Sequence, residues 1–204
     1  MSHKGHCDVV KCLLSSGADI NLCNQRESSP LYVASQQGHC DVVKCLLSSG
    51  ADINLHDEDG KSSLFIASMS GHCDVVECLL SSNADINLCD KRGQSPLLAA
   101  SEEGQYDVVK CLLSSGADIN LCDVGGRSPS IAASSSWYND IVKLLTAHAQ
   151  DPYLKKTIVI RSLIHVDTQN KPFEQEEEKE VIYLRTDQEG KSFLLFLLGL
   201  FVGK

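Results

Sequence analysis

The apolar residues of this chain recur in short groups with a fixed period of 33 residues. The segment GHCDVVKCLLSSGADINL begins at Gly5 and returns with few changes at Gly38, Gly71 and Gly104. Within each copy the Val-Val and Leu-Leu pairs stand at i, i+1, i+4 and i+5, which places them on one face of a helix. Gly17 follows the first copy where a helix C-terminus favours a left-handed residue. Each copy therefore predicts one amphipathic helix.

A second, shorter helix is predicted before each of the later long helices. A serine followed by Pro-Leu, as at Ser95-Pro96-Leu97, combines an N-cap hydroxyl with a proline that has no N–H to lose. The preceding polar stretches at 24–28, 57–61, 90–94 and 123–127 are predicted to be turns. A repeated unit of turn, short helix, glycine turn and long helix stacks into a solenoid. We therefore expect the function on a surface of the stack.

The period divides the chain into repeats and a remainder. The predicted boundaries are a partial first repeat at 1–23, full repeats at 24–56, 57–89 and 90–122, a degenerate C-terminal capping repeat at 123–151, and a non-repeat tail at 152–204. Because the first repeat starts at its middle, its long helix has no capping partner. Either the true chain begins further upstream or this end associates with another copy of the chain.

The last repeat departs from the pattern. Trp137 replaces the glycine between the helices, and Ser130 replaces a leucine of the core. We expect helices near 129–136 and 138–148, and we expect Trp137 to cover the end of the core, with stacking on a ligand as the alternative.

The tail contains no repeat. Residues 157–166 and 181–187 are rich in β-branched side chains and predict strands, separated by an acidic linker at 174–180. Residues 193–202 are apolar, but ten helical residues cover about 15 Å of a hydrocarbon core of about 30 Å, so they cannot span a bilayer alone. A packed element, an interfacial anchor and the start of a membrane helix remain open.

Charge narrows the choice of partners. The net charge of -9 disfavours nucleic acid and anionic lipid surfaces, which attract basic proteins. Part of this acidity is predicted to lie early in the helices, where a carboxylate meets the positive end of the helix dipole. Successive copies lie about 8–10 Å apart on neighbouring helices, too far to share one Ca²⁺ or Mg²⁺ ion. These residues are Asp8, Asp41, Asp74, Asp107 and Asp140.

Seven of the 10 cysteines fall into two columns whose members are one repeat apart. One column is Cys12, Cys45, Cys78 and Cys111, and another is Cys7, Cys40 and Cys73. Neighbours within a column lie beyond the separation of about 7 Å that a disulfide tolerates, so reduced thiols are predicted. Together with the lack of a signal-peptide core, this favours a cytoplasmic or nuclear protein. The recurring His-Cys pairs, such as His72-Cys73, are spread along the stack and do not predict a zinc site.

These repeats resemble the ankyrin repeat over residues 5–150. The match is carried in one repeat by Asp90, Gly93, Ser95-Pro96-Leu97, Ala99-Ala100, Gly104, Val108-Val109, Leu112-Leu113 and Gly116-Ala117-Asp118-Ile119-Asn120. The resemblance implies an all-α ankyrin-repeat solenoid of stacked helix-turn-helix units with β-hairpin-like loops, followed by the non-repeat segment.

Two departures from the family pattern predict weaker packing. The histidine of the family's Thr-Pro-Leu-His becomes Tyr32, Phe65, Leu98 and Ile131, so we expect weaker hydrogen bonding between repeats. Cysteines stand where the family usually has leucine, which removes buried apolar area worth on the order of 1 kcal/mol per position. Replacing Cys45 or Cys78 by leucine is expected to raise the denaturation midpoint.

The resemblance also implies the function, a protein-interaction module whose concave groove consists of the loop tips and the inner face of the short helices. Inside this chain the tips and the ends of the short helices vary, whereas the long helices barely do. The alternative is that they are simply unconstrained surface positions. The predicted partner-binding residues are Gln25, Arg26, Ser28, Gln36, Gln37, Glu58, Asp59, Lys61, Met69, Ser70, Lys91, Arg92, Gln94, Glu102, Glu103, Val124, Arg127, Ser135 and Ser136.

We find no catalytic motif in the sequence, such as a phosphate loop, GxSxG, HExxH or paired CxxC. A non-catalytic scaffold or adaptor without cofactor or metal is therefore predicted. The alternatives are the soluble ankyrin portion of a membrane-associated or larger signalling protein, and an enzyme whose catalytic domain lies outside this chain.

Overall fold

The computed structural model describes residues 4–150 and two strands at 182–186 and 192–196, with side chains described for residues 7–149. Within this part of the chain the helices are α1 (Lys4–Ser15), α2 (Pro30–Gln36), α3 (Cys40–Ser48), α4 (Ser63–Ser70), α5 (Cys73–Ser81), α6 (Pro96–Glu102), α7 (Tyr106–Ser114), α8 (Pro129–Ser135) and α9 (Asn139–Gln150). The strands are β1 (Ile182–Thr186) and β2 (Ser192–Phe196).

The helices form two rows. The short helices α2, α4, α6 and α8 pack against each other in sequence, and the long helices α1, α3, α5, α7 and α9 do the same. Each short helix also packs against the long helix that follows it. The predicted helical solenoid is confirmed.

The short helices begin as the sequence predicts. The hydroxyl of Ser95 accepts a hydrogen bond of 3.2 Å from the backbone N–H of Leu98, and Pro96 is the first helical residue. Ser29, Ser62 and Ser128 cap the other short helices in the same way. Each cap satisfies one N–H that the first turn leaves without a partner inside the helix.

The core lies between the two rows of helices. Leu31, Leu64 and Leu97 of the short helices are fully buried, and the long helices contribute Val and Leu side chains of the repeated DVVKCLL segment. The first long helix is an exception. Val9 and Leu13, predicted to lie on its buried face, are 57% and 55% exposed, since no described short helix packs on them.

The prediction that Trp137 covers the end of the core is wrong. Its side chain is 84% exposed. Its backbone has φ of 65°, which matches the left-handed conformation of Gly38, Gly71 and Gly104 at the equivalent positions. At the equivalent glycines a Cβ would be directed at the following repeat, toward His72, Gln105 and Tyr138.

The aspartates near the starts of the long helices largely follow the prediction. Asp41, Asp74, Asp107 and Asp140 lie in the first turns of their helices. Asp8 does not, because α1 already begins at Lys4, three residues earlier than the repeat pattern indicates.

In the tail, β1 and β2 pair in antiparallel orientation, with Leu184 opposite Leu194. The prediction of a strand at 181–187 is confirmed over 182–186, and residues 193–196 are a strand rather than part of a helix. The predicted strand at 157–166, the acidic linker and residues 197–202 lie outside the described residues. Among the described helices, none combines the length and the apolar character that crossing a membrane requires.

Candidate interaction surface

The four turns before the short helices, called the tips here (24–28, 57–61, 90–94 and 123–127), share one backbone design. In the third tip, the Asp90 N–H donates to the Gln94 carbonyl at 3.0 Å, while Asp90 Oδ1 accepts from the N–H groups of Arg92 and Gln94 at 2.9 and 2.8 Å. Asn24, Asp57 and Asp123 do the same in their tips. A carboxylate or amide that binds backbone N–H groups within its own turn holds the turn closed.

Hydrogen bonds also join each tip to the next. The N–H of Glu58 donates to the Arg26 carbonyl at 3.0 Å, and the N–H of Lys91 donates to the Asp59 carbonyl at 2.9 Å. The N–H of Val124 donates to the Arg92 carbonyl at 2.8 Å, which continues the series. The tips therefore form one connected edge with a fixed backbone, and their side chains are the variable part.

Most of the residues predicted to bind a partner are available at the surface. Those that are exposed are Gln25, Arg26, Gln36, Gln37, Glu58, Asp59, Lys91, Arg92, Glu103, Val124 and Ser135. Those that are partly buried are Lys61, Met69, Ser70, Gln94, Glu102, Arg127 and Ser136. Ser28 is 8% exposed and offers little surface to a partner.

Three of the predicted residues bind each other. Glu102 at the end of α6 accepts from Gln94 Nε2 at 3.1 Å and forms an ion pair with Arg127 Nη1 at 2.7 Å. Arg127 also pairs with Asp123 Oδ2 at 2.8 Å, so one guanidinium connects the fourth tip to the preceding short helix. The backbone N–H of Arg127 and its side chain both lower the pKa of Asp123. Glu102 therefore holds the side chains of Gln94 and Arg127 in place, in addition to being part of the surface.

Sequence reasoning missed a buried contact beneath the tips. The Tyr32 hydroxyl donates to Asp57 Oδ2 of the next repeat at 2.9 Å, and burial followed by this hydrogen bond raises the pKa of Tyr32. The expectation of weaker inter-repeat hydrogen bonding is therefore wrong at Tyr32, because a phenol carries out the polar contact that the missing histidine was expected to make. The sequence signal that could have indicated this contact is a tyrosine in one short helix followed 25 residues later by the aspartate of the next tip.

Further hydrogen bonds between repeats come from positions outside the Thr-Pro-Leu-His segment. The side chains of Asn21, Asn54 and Asn87 each accept a backbone N–H from the following repeat, at 2.9 to 3.1 Å. His72 Nε2 lies 3.0 Å from the Gln36 carbonyl, and Gln105 Nε2 donates to the Met69 carbonyl at 3.3 Å. These contacts bind the loops of successive repeats together.

All ten cysteines are free, as predicted. The thiols that come together belong to different columns, in the pairs Cys7 with Cys45, Cys40 with Cys78, and Cys73 with Cys111. Successive long helices are offset, so the start of one lies beside the middle of the next. The spacing of thiols within a column or within one helix does not predict these diagonal pairs.

The four cysteines that were expected to replace core leucines differ in burial. Cys45 is buried, Cys78 and Cys111 are partly buried, and Cys12 is exposed. The expectation of a core position is therefore wrong at Cys12. At Cys111, burial and the neighbouring Cys73 raise the pKa of the thiol to about 11. The gain in denaturation midpoint from leucine at Cys45 or Cys78 stays a prediction.

The two rows of helices, joined by tips of one repeated design, define a helical repeat protein. A family model for ankyrin repeats (3 copies) matches residues 1–90 and 82–156. The chain belongs to the ankyrin repeat family. A comparison with curated proteins gave no match. Ankyrin repeats are generally protein-protein interaction modules and are typically non-catalytic.

Proposed function

We propose that this protein is a non-catalytic scaffold or adaptor that binds a protein partner through a groove formed by the tips and the ends of the short helices. The observation that carries the proposal is the connected edge of tips. Its backbone is held by hydrogen bonds within and between repeats, while side chains such as Arg26, Glu58 and Arg92 remain exposed. A partner that binds a pre-ordered backbone does not have to order it, which lowers the entropic cost of association.

The side chains on this edge carry both charge signs. Arg26 lies in the first tip, Glu58 in the second and Arg92 in the third, and Glu103 lies at the end of α6. Charges of both signs discriminate between partners through complementary and repelling pairs. We infer a partner surface that carries both charge signs, rather than a polyanion such as nucleic acid.

The proposed compartment is the cytoplasm, with the nucleus as the second choice. The ten free thiols support this placement, since a reducing environment keeps cysteines unpaired. Imaging of the full chain with a fluorescent tag tests it, and accumulation in the secretory pathway would contradict it.

Affinity capture with quantitative mass spectrometry tests the function. The groove variant carries Arg92→Glu and Glu103→Lys, two exposed residues that leave the Glu102–Arg127 ion pair intact. The control carries Asp140→Lys and Lys143→Glu on α9, two exposed residues whose exchange also leaves the net charge unchanged. Proteins that bind the wild type and the control but not the groove variant support the proposal. Equal recovery by all three would overturn it.

A further inference from the structure

Three side chains of the types that ligate metal ions meet on the row of long helices, away from the tips. Cys73 is the first residue of α5, Glu77 lies one turn later on the same helix, and Cys111 lies on α7. The two sulfurs and a carboxylate oxygen of Glu77 all lie within 4.8 Å of one another. Among the side chains that the structure describes, this is the group of three whose ligand atoms come this close.

The donor set suits zinc. Zn²⁺ binds thiolate sulfur at about 2.3 Å and carboxylate oxygen at about 2.0–2.2 Å in tetrahedral geometry. Two sulfurs on one such ion lie about 3.8 Å apart, so side-chain movements of roughly an ångström bring these three groups onto a common centre. Glu77 and Cys111 also line an open depression of the surface, so solvent reaches this side of the cluster and a water molecule can serve as fourth ligand.

The surroundings of the three groups are acidic. The negative charges of Glu77, Asp107 and Asp74 all lie close enough to Cys73 to contribute to the raised pKa of its thiol. The Cys73 sulfur also lies 3.8 Å from the backbone carbonyl oxygen of Asp107. A divalent cation is favoured by such a negative field, which acts strongly in a partly buried position.

The other diagonal cysteine pairs provide an internal comparison. Glu77 occupies the position that Lys44 and Lys11 hold beside the Cys40–Cys78 and Cys7–Cys45 pairs. The ammonium group of Lys44 lies close enough to Cys40 for that thiol to raise the pKa of the lysine. The lysine supplies no ligand to a metal ion and places a positive charge where the ion would bind. The repeat that contains Glu77 is therefore the one with a complete donor set.

We propose that Cys73, Glu77 and Cys111 bind one Zn²⁺ ion, with water as the fourth ligand, and that the ion fastens α5 to α7. Binding deprotonates the two thiols and joins two neighbouring repeats. Because the ion binds the folded chain, it raises the apparent stability by mass action. This site is independent of the proposed groove, since its ligands lie on the long helices.

Titration of the metal-free, reduced protein with ZnCl₂ against a chromophoric chelator tests the proposal, and Co²⁺ absorption reports thiolate coordination. We expect one equivalent of tight Zn²⁺ binding, thiolate-to-cobalt charge-transfer bands, and a higher melting temperature with zinc. Weak binding to other thiols gives a background common to all variants.

Cys73→Ser and Glu77→Lys are each expected to weaken the tight Zn²⁺ binding by at least tenfold. Changing a residue that only supports a metal ligand already costs about tenfold in affinity, so loss of a ligand itself should cost at least as much. Lysine already stands at positions 11, 44 and 110 of the same column, so E77K preserves the fold, and circular dichroism verifies this. Conversely, Lys44→Glu is expected to add a second equivalent through Cys40 and Cys78. Absence of tight binding in the wild type, tight binding that persists in C73S or E77K, or a stoichiometry that stays at one in K44E would overturn the proposal.

Discussion

The hydroxyl of Tyr32 donates a hydrogen bond of 2.9 Å to the carboxylate of Asp57, 25 residues later and one repeat further along the stack. Both side chains are buried, at 7% exposure each. Asp57 uses its other carboxylate oxygen to close its own tip, with N–H groups of Asp59 and Lys61 as donors. One buried carboxylate therefore connects the core of one repeat to the tip of the next.

Replacing Tyr32 by phenylalanine tests this connection. The variant leaves a buried carboxylate oxygen without its donor, so the free energy of unfolding is expected to fall by about 1.5–3 kcal/mol. Urea denaturation followed by circular dichroism measures the change. The matched control is Tyr106→Phe, where the ring is 44% exposed and a change below about 0.5 kcal/mol is expected. Equal losses in Y32F and Y106F would contradict the role of Asp57.

The same pair predicts a dependence on alkaline pH. The folded-state pKa of Tyr32 is raised by burial and by Asp57, above an unfolded value near 10. The stabilisation is therefore fully present below about pH 10 and declines as the pH rises toward the folded-state pKa. The difference in unfolding free energy between wild type and Y32F is expected to be constant from about pH 7 to 9 and to shrink above 10. A difference that grows above pH 10 would rule out this linkage.

Buried serines in the short helices predict a stabilising substitution. The hydroxyl of Ser68 is buried without a hydrogen-bond partner among the described residues, whereas Ser101 in the next repeat donates to the Leu97 carbonyl at 2.7 Å. Removing an unsatisfied buried hydroxyl is expected to raise the free energy of unfolding, by about 1 kcal/mol in Ser68→Ala. Ser101→Ala is the control and is expected to gain less or to lose stability. Thermal denaturation compares the two, and a larger gain in S101A would show that Ser68 is satisfied in solution.

Equivalent positions in adjacent repeats predict opposite effects at the turn between the helices. Trp137 has φ of 65°, which costs a bulky side chain about 1 kcal/mol relative to glycine, so Trp137→Gly is expected to stabilise the fold by about that amount. Gly104 has φ of 75°, and a Cβ there would collide with the ring of Tyr138. Gly104→Ala is therefore expected to lower the free energy of unfolding by more than 1 kcal/mol. Chemical denaturation of both variants checks the signs, and a destabilised W137G would show that the indole packs in solution.

The helices of the stack could be predicted because the same sequence signals recur in successive repeats. Ser95, Pro96 and the Leu-Leu pairs fix helix starts and buried faces through local rules that need no knowledge of neighbouring repeats. The prediction for Trp137 is wrong because the backbone conformation of this residue, rather than its apolar character, decides where the side chain lies. The Tyr32–Asp57 bond and the Cys73–Cys111 pair depend on the offset between stacked repeats, which the sequence period alone does not specify.

For the predicted interaction surface, too, local features could be predicted from the sequence and contacts between repeats could not. Variation between repeats indicated which positions are free, and most of them are exposed. It did not indicate that Glu102, Gln94 and Arg127 bind one another, since that contact requires a tip to lie beside the preceding short helix. Exposed charges of the tips are therefore better probes of binding than Glu102.

The affinity of a captured partner for four forms of the protein tests the central claim most directly. The forms are the wild type, Arg26→Glu with Glu58→Lys, Arg92→Glu with Glu103→Lys, and the control Asp140→Lys with Lys143→Glu on α9, measured by calorimetry in EDTA so that bound metal plays no part. The account predicts at least a tenfold loss of affinity, about 1.4 kcal/mol, in one or both tip variants and no change in the control. Unchanged affinity in both tip variants, or an equal loss in the control, would contradict binding through the tips.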